Sequence, residues 1–405
     1  MKIKNYLSAA IIFTSSCVYS QTGTGTIIPG SFYSGGVSRS YTIYVPAIYK
    51  SSTPVPLVFN MHGLSGTCAK QMTAEDFSKI ADTANFIIVL PQGNTTGQPL
   101  PETGWNVLGT VAAGVADRTF LIALLDTVES QYAINTSRVY ATGYSEGGFM
   151  SYEFACFIRS RFAAIASVSG SLVPSGFTAC APNQPTPVME IHGTSDQIIN
   201  YTGSSSFVAS TDVDTMINYW VKYNKCIPIP TTIEYLKDTI DSATVDHSTV
   251  VHYVYTGGTK GVTVELYKVL GGGHQIPSLP PVPTGYGVGN TNEDFTAAKE
   301  IWRFFSKYNL EALGVTPATG INNNTFEKNN ISVYPNPSNG IFRVDVKNNL
   351  NVIITIVNVL GETVLEKKIS DTSVTIDLSN YPTGVYFYQA RNQAGNIKSG
   401  KLIVQ

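Results

Sequence analysis

The residues Gly143-Tyr144-Ser145-Glu146-Gly147 form a G-x-S-x-G pattern between a strand-like run, 138–142, and a helical pattern. A strand-to-helix turn this tight leaves no room for flanking side chains, and glycines relieve the crowding. The turn presents the serine at the carboxyl end of a sheet, where the following helix N-terminus favours negative charge. The pattern predicts that Ser145 is a nucleophile for acyl transfer. The alternative is a glycine-rich turn with a solvent-exposed serine.

A serine nucleophile needs a histidine base, and five histidines are available. His274 follows the last strand-like run of the domain and comes after three glycines, so we predict that it is the base. His62 and His192 stand just before glycines at strand ends and are expected to be structural. His247 and His252 lie in a polar segment and are expected to be exposed.

The base in turn needs an orienting carboxylate. Asp196 follows the strand-like run 188–192, and the order serine, acid, histidine along the chain is one that serine hydrolases use. Asp212 and Asp214 compete for this role, but they stand where a helix begins and capping explains them. Asp196 is therefore the predicted acid.

Acyl transfer also needs two preorganised N–H donors for the oxyanion. We predict the backbone N–H groups of Glu146, directly after the serine, and of Leu64, in the loop after an early strand. Candidate substrate-binding residues are Trp105, Tyr144 and Ile276.

The elements that must hold these residues alternate between strand and helix over residues 21–312. Strand-like runs cover 56–61, 86–90, 139–141, 164–168, 188–192 and 262–269. Helical patterns cover 117–132, 146–157 and 294–308. This alternation predicts an α/β fold with a mostly parallel sheet and helices on both faces. The polar segment 231–257 is predicted to be a hairpin excursion from that sheet.

The chain changes character at residues 313–330, which are predicted to be a linker rich in Gly, Thr, Pro and Asn. Seven short alternating segments separated by turn signals follow over 331–405. They predict a small all-β sandwich.

The N-terminus predicts a signal peptide over residues 1–20, with cleavage before Gln21. Lys2 and Lys4 precede an apolar stretch that is too short to span a bilayer. Cleavage there would remove Cys17, whereas a lipoprotein would be anchored at that residue. No other apolar run approaches about 18 residues, so no transmembrane helix is expected.

Four further cysteines predict two disulfides with three possible connectivities. Cys156–Cys180 is the closest pair in sequence and is favoured, which leaves Cys68–Cys226. The alternative is buried thiols.

The composition excludes several classes of function. Charged residues are 13% of the chain and the formal net charge is −2, which offers no electrostatic footprint for nucleic acid or an anionic membrane. No histidine pair has metal-ligand spacing, and neither a Walker A nor a dinucleotide-binding motif occurs. We therefore expect no cofactor and no metal.

The first domain resembles secreted α/β-hydrolases of the polyhydroxybutyrate depolymerase and feruloyl esterase type. The resemblance rests on His62-Gly63, Gly104-Trp105-Asn106, RVYATGYSEGG, FAAIASVSG at 162–170, IHGTSD at 191–196, GGGH at 271–274 and IWRFF at 301–305. It implies hydrolysis of carboxylic esters by Ser145, Asp196 and His274. Many relatives carry Asn at the position of Glu146 and Trp at that of Ile276, so their substrates do not transfer directly.

The tail resembles the C-terminal sorting domain of the type IX secretion system. The resemblance rests on VYPNPSNG, NVLGETV, YPTGVYFYQA and the final KLIVQ. It implies that secretion machinery is a partner and that the protein is extracellular or attached to the cell surface. The rival interpretation is a carbohydrate-binding sandwich that stacks Tyr381, Tyr386 or Tyr388 on sugars.

These features together predict a secreted, monomeric serine esterase that acts on a polymeric ester, either a feruloyl or acetyl ester of plant polysaccharide or a hydroxyalkanoate polyester. The alternatives are a serine peptidase of the prolyl type and a non-catalytic surface binding protein on a hydrolase scaffold.

Overall fold

The computed structural model describes residues 23–34, 37–95, 103–107, 117–180, 182, 184–204, 209–235, 246–278, 288–317, 331–346, 352–358, 363–369, 371–392 and 395–405. The predicted signal peptide, its cleavage site and Cys17 lie outside them, as does most of the predicted linker. The chain divides into two compact units, Met1–Pro317 and Ala318–Gln405.

The first unit is built on one sheet whose strand order is β1-β2-β4-β3-β7-β8-β9-β12-β11-β10. Its strands are β1 (Thr26–Ser34), β2 (Val37–Val45), β3 (Val55–Met61), β4 (Ile87–Pro91), β7 (Ile134–Gly143), β8 (Ala164–Val168), β9 (Val188–Gly193), β10 (Thr231–Tyr235), β11 (Thr249–Tyr255) and β12 (Val264–Leu270). A separate two-residue ladder pairs β5 (Asn94–Thr95) with β6 (Thr103–Gly104). The six strands from β4 to β12 pair in parallel, and the outer strands pair antiparallel.

Helices cover both faces of this sheet. They are α1 (Cys68–Ala74), α2 (Ser78–Ala84), α3 (Asp117–Gln131), α4 (Glu146–Phe157), α5 (Pro174–Ala179), α6 (Val213–Asn224) and α7 (Ala297–Phe305). Alternate residues of β3 enter two different cores: Leu57 and Phe59 pack with α3, α4 and α6, whereas Val58 packs with α1, α2 and α7. Burial on both faces explains why β3 is apolar almost without interruption. The predicted layered fold is confirmed.

Two expectations about the hairpin at 231–257 are wrong. Strands β10 and β11 do not leave the sheet but extend it, because β11 pairs with β12 along its whole length. His252 is consequently buried on β11, with 3% exposure, whereas His247 is exposed as expected.

The described cysteines lie in the cores on both faces of the sheet. Cys156, at the end of α4, is bonded to Cys180 after α5. Cys68 and Cys226 are both thiols, so the predicted second disulfide is wrong. Cys68 belongs to the core on the α1 face and Cys226 to the core on the α6 face. The sheet lies between them, and a disulfide requires Cα atoms within about 7 Å.

The second unit contains seven strands in two antiparallel sheets, ordered β13-β14-β17 and β16-β15-β18-β19. The strands are β13 (Ile331–Tyr334), β14 (Ile341–Val346), β15 (Val352–Val357), β16 (Thr363–Ile369), β17 (Ser373–Asp377), β18 (Gly384–Asn392) and β19 (Gly395–Val404). One apolar core draws residues from both sheets. Tyr386 and Tyr388 are buried in it and Tyr381 packs against it, so none of them forms an open platform for a sugar.

Within the described residues, every helix is too short or too polar to cross a membrane.

Candidate active site

Ser145 occupies a strained turn between β7 and α4, with φ at 55° and ψ at −120°. A positive φ is costly for a residue with a Cβ and occurs where the surroundings force it. The two glycines of the motif are sterically required: a Cβ on Gly143 would lie 2.5 Å from the backbone of Gly147, and one on Gly147 would lie 2.1 Å from the Met61 carbonyl oxygen. Since β7 is central in the sheet, this turn places Ser145 at the carboxyl edge of the sheet.

His274 lies in the loop after β12 and faces the serine. Its Nε2 is 2.9 Å from Ser145 Oγ. The loop is fixed by two bonds of the histidine backbone: its N–H donates to the Val288 carbonyl, at 2.7 Å, and its carbonyl accepts from the Tyr144 hydroxyl, at 2.8 Å. Tyr144, the residue beside Ser145, therefore holds His274 in place.

Asp196 completes the arrangement from the loop after β9. Its Oδ2 is 2.7 Å from His274 Nδ1, and its Oδ1 accepts the backbone N–H groups of Ile198 and Ile199, each at 2.8 Å. The loops that carry the acid and the base touch directly, because a Cβ on Gly193 would lie only 2.3 Å from the Gly272 carbonyl oxygen. The structure thus brings all three predicted catalytic side chains into one hydrogen-bonded row.

The competing acids serve α6 and its surroundings. Asp212 caps that helix by accepting the Thr215 N–H at 2.7 Å. Asp214 accepts from the Tyr201 hydroxyl and pairs with Lys268. Neither makes a hydrogen bond or ion pair with His274 among the contacts of the described residues.

The two predicted oxyanion donors flank the serine. Glu146 is the first residue of α4, and Leu64 follows Gly63, whose Cα lies so close that an added Cβ would be 3.0 Å from Ser145 Cβ. The backbone N–H groups of this turn and this loop can meet a developing oxyanion. Their role stays a prediction.

Trp105 links the two sides of that prospective oxyanion site. Its backbone N–H donates to Glu146 Oε2 at 3.0 Å, and its indole N–H donates to the His62 carbonyl at 2.7 Å. His62 in turn accepts the Gly93 N–H on Nε2, and burial lowers its pKa to about 4. His62 is therefore neutral and structural.

Trp105, Tyr144 and Ile276, the candidate substrate-binding residues, are all at most 2% exposed. Trp105 contacts His62 and Glu146, and Tyr144 contacts His274. Ile276 lies in the apolar core beside α7.

Two buried residues next to this row were not assigned to the site from the sequence. Glu190 and His192 lie on β9, are fully buried and contact one another, and His192 also approaches Asp196. The feature that could have identified them is an ionisable residue, Glu190, inside a largely apolar strand-like run, and every position of that strand is buried. Such a residue requires a buried partner.

Comparison with known proteins agrees with this geometry. Residues 46–212 match the family model described as phospholipase/carboxylesterase, and residues 332–405 match that of the secretion system C-terminal sorting domain. The first unit has the α/β-hydrolase fold. The ordered strands, the turn at Ser145 and the family match all agree on this hydrolase fold.

Three curated relatives align with the hydrolase. The bifunctional acetylxylan esterase/xylanase XynS20E of Neocallimastix patriciarum is 26% identical over 70% of this chain and 35% of its own length. Feruloyl esterase D of Neurospora crassa is 28% identical over 68% of this chain and 83% of its own. Poly(3-hydroxyalkanoate) depolymerase C of Paucimonas lemoignei is 26% identical over 56% of each.

The chain thus spans about a third of the first of these relatives and just over half of the third. Two of these names contain an esterase and the third a poly(3-hydroxyalkanoate) depolymerase, which supports the expectation from the sequence that this chain is a carboxylic ester hydrolase.

Proposed function

We propose that this chain is a secreted serine esterase in which Ser145, His274 and Asp196 act as nucleophile, base and orienting acid. The observation that carries the proposal is the row Asp196 Oδ2–His274 Nδ1–His274 Nε2–Ser145 Oγ, with links of 2.7 and 2.9 Å. Such a row lets the imidazole accept the serine proton while the carboxylate stabilises the imidazolium.

The reaction proceeds in two halves. Ser145 Oγ attacks the ester carbonyl and transfers its proton to His274 Nε2, and the N–H groups of Glu146 and Leu64 bind the oxyanion. His274 then returns the proton to the departing alcohol. Water, deprotonated by the same imidazole, hydrolyses the acyl-enzyme and releases the acid.

The decisive test compares the wild type with Ser145→Ala on p-nitrophenyl acetate and butyrate. We expect kcat to fall by about 10⁶-fold, to the level left by binding and oxyanion stabilisation. Hydrolysis that continues unchanged in the variant would contradict the assignment. Circular dichroism verifies that both proteins are folded.

The substrate proposed is a polymeric ester, with feruloyl or acetyl esters of plant polysaccharide preferred over hydroxyalkanoate polyester. Relatives named for the first class and for the second both align with this chain. A panel of methyl ferulate, acetylated xylan and polyhydroxybutyrate film distinguishes these classes by their kcat/KM. Turnover of a prolyl peptide but of no ester would favour the peptidase alternative.

The sorting domain match at 332–405 supports export through the type IX system, with the secretion machinery as partner. We further propose that residues 1–20 are removed, that the mature protein is monomeric, and that it is released or attached at the cell surface. Deleting 331–405 in a host that carries this system tests the export proposal, because the truncated protein should remain inside the cell envelope.

A further inference from the structure

Behind the triad lies a second histidine–carboxylate pair that the proposed mechanism does not use. Glu190 and His192 are both fully buried on β9. Glu190 Oε1 is 2.9 Å from His192 Nδ1, and the other oxygen, Oε2, accepts the Tyr152 hydroxyl at 2.8 Å. A buried ionisable pair is costly and persists where its charges are compensated.

The hydrogen-bond partners place one hydrogen on His192 Nε2. Its Nε2 is 2.8 Å from the Ile199 carbonyl oxygen, which can only accept, so Nε2 carries a hydrogen. Its Nδ1 faces a carboxylate whose other oxygen already accepts from Tyr152, an arrangement that favours the ionised carboxylate. Burial lowers the pKa of His192, but the hydrogen bond to Glu190 and the charges of Glu190 and Asp196 outweigh it and raise that pKa. Burial likewise raises the pKa of Glu190, against its hydrogen bonds to His192 and Tyr152. We assign the proton between Nδ1 and Oε1 to the imidazole, because the charges of Glu190 and Asp196 favour its charged form. The pair is then an imidazolium and a carboxylate.

The positive end of this pair faces the triad. His192 Nε2 is 3.5 Å from Asp196 Oδ2, the same oxygen that is bonded to His274 Nδ1. Among the described residues, Asp196 forms ion pairs with these two histidines and with no lysine or arginine. Asp196 therefore shares its negative charge between the base and His192.

We propose that the Glu190–His192 pair is a built-in counter-charge to Asp196 that sets the proton affinity of His274. Both are positioning residues, since neither touches Ser145. The inference rests on the proposed esterase mechanism for its functional meaning. By drawing on the charge of Asp196, the His192 cation weakens the stabilisation of the His274 imidazolium.

Other groups face the pair from the neighbouring elements. Tyr152 approaches from α4, and the ring of Tyr201 lies edge-on to that of His192, with centroids 5.8 Å apart. Tyr201 donates to Asp214 of α6, and Lys268 of β12 pairs with the same carboxylate at 3.2 Å. The charges of Asp214 and Lys268 compensate each other.

The test is Glu190→Gln in the full chain. The amide keeps the size and can donate to His192 Nδ1, which leaves that imidazole neutral with its Nε2 hydrogen in place. The variant loses both charges of the pair. Because the His192 cation faces Asp196 through Nε2 and the carboxylate lies at Nδ1 of the same ring, we expect a net rise in the pKa of His274, of up to about one pH unit. Nuclear magnetic resonance titration of the ¹⁵N-labelled histidines measures the shift directly, with His274 assigned by His274→Gln. The acid limb of kcat/KM for p-nitrophenyl acetate should move by the same amount.

The chain provides a matched control. His252→Gln removes a histidine from another buried pair, His252–Glu265 on the paired strands β11 and β12, and should leave the pKa of His274 unchanged. Tyr152→Phe removes the donor that favours ionised Glu190 and should shift the pKa in the same direction by less, so it serves if Glu190→Gln does not fold. A His274 pKa that stays in place or falls in a folded variant overturns the proposal. A pKa that shifts as expected in a protein without ester turnover supports the counter-charge and refutes the esterase mechanism instead.

Discussion

Two buried histidine–carboxylate pairs in the first unit have similar geometry and different surroundings. His274 and Asp196 are 2.7 Å apart on loops at the carboxyl edge of the sheet, and His252 and Glu265 are 2.9 Å apart on the paired strands β11 and β12. Glu265 is also bound by Arg303 and Lys307, both on or just after α7. Asp196 has two backbone N–H groups and a second histidine in place of those cations.

The difference shows that placement, rather than the pair itself, determines its use. In the loop pair, the second imidazole nitrogen of His274 remains directed at Ser145. In the strand pair, the ring of His252 is stacked on Tyr267 with centroids 3.9 Å apart, and its carboxylate is the centre of an ionic cluster. The first arrangement can move a proton, whereas the second stabilises the join between the hairpin and the sheet.

The largest expected effect comes from Asp196→Asn. The amide no longer stabilises the imidazolium and favours the wrong tautomer of His274, so kcat should fall by about 10⁴-fold. Steady-state hydrolysis of p-nitrophenyl acetate measures this. Glu265→Gln is the matched control, and a comparable loss of kcat in that folded variant would remove the distinction between the pairs.

Glu265→Gln should act on stability. Burial raises the pKa of Glu265, but the hydrogen bonds from His252 and Arg303 and the charges of Arg303 and Lys307 outweigh it and lower the pKa from 4.5 to about 2. A lowered carboxyl pKa stabilises the fold at pH values above about 4.5, and this stabilisation is lost as the pH falls towards 2. It amounts to about 3 kcal/mol at about 1.4 kcal/mol per pH unit.

Denaturant unfolding at several pH values measures that contribution. The variant should have a lower free energy of unfolding at pH 7 and a weaker dependence on pH between about 4.5 and 2. Equal pH dependence in variant and wild type would show that the ionic cluster does not depend on Glu265.

The smallest expected effect comes from Tyr144→Phe. The variant loses the hydrogen bond to the His274 carbonyl, a contact of about 1 kcal/mol, so kcat should fall about fivefold with KM little changed. Tyr267→Phe, beside the strand pair, is the control and should leave kcat as it is. If the two variants behave alike, Tyr144 does not position the base.

The layered fold follows from local patterns in the sequence. Runs such as the one at β3 are apolar because both faces are covered, and the glycines around Ser145 reflect a turn that excludes a Cβ. Sequence order was also sufficient to predict that, among the candidate histidines and aspartates, His274 would lie beside Ser145 and Asp196 beside His274. The disulfide between Cys156 and Cys180 followed from their closeness along the chain.

Failures came where a long-range neighbour decided the outcome. The hairpin strands look polar and alternating, but β11 pairs with β12 and buries His252 against Glu265. Cys68 and Cys226 were paired by elimination, although the sheet separates them.

The sequence by itself determined the nucleophile turn, the order of its partners and the division into a hydrolase and a sorting tail, because these depend on local sterics and on chain order. Only the tertiary structure revealed that Glu190 and His192 lie behind Asp196. Alternate residues of β9 share one face, and the loop after β9 folds back over that strand, so ionisable groups a few residues apart become a charged row. Local patterns cannot encode that row, since its charges act through space between β9, α4 and the loop that carries His274.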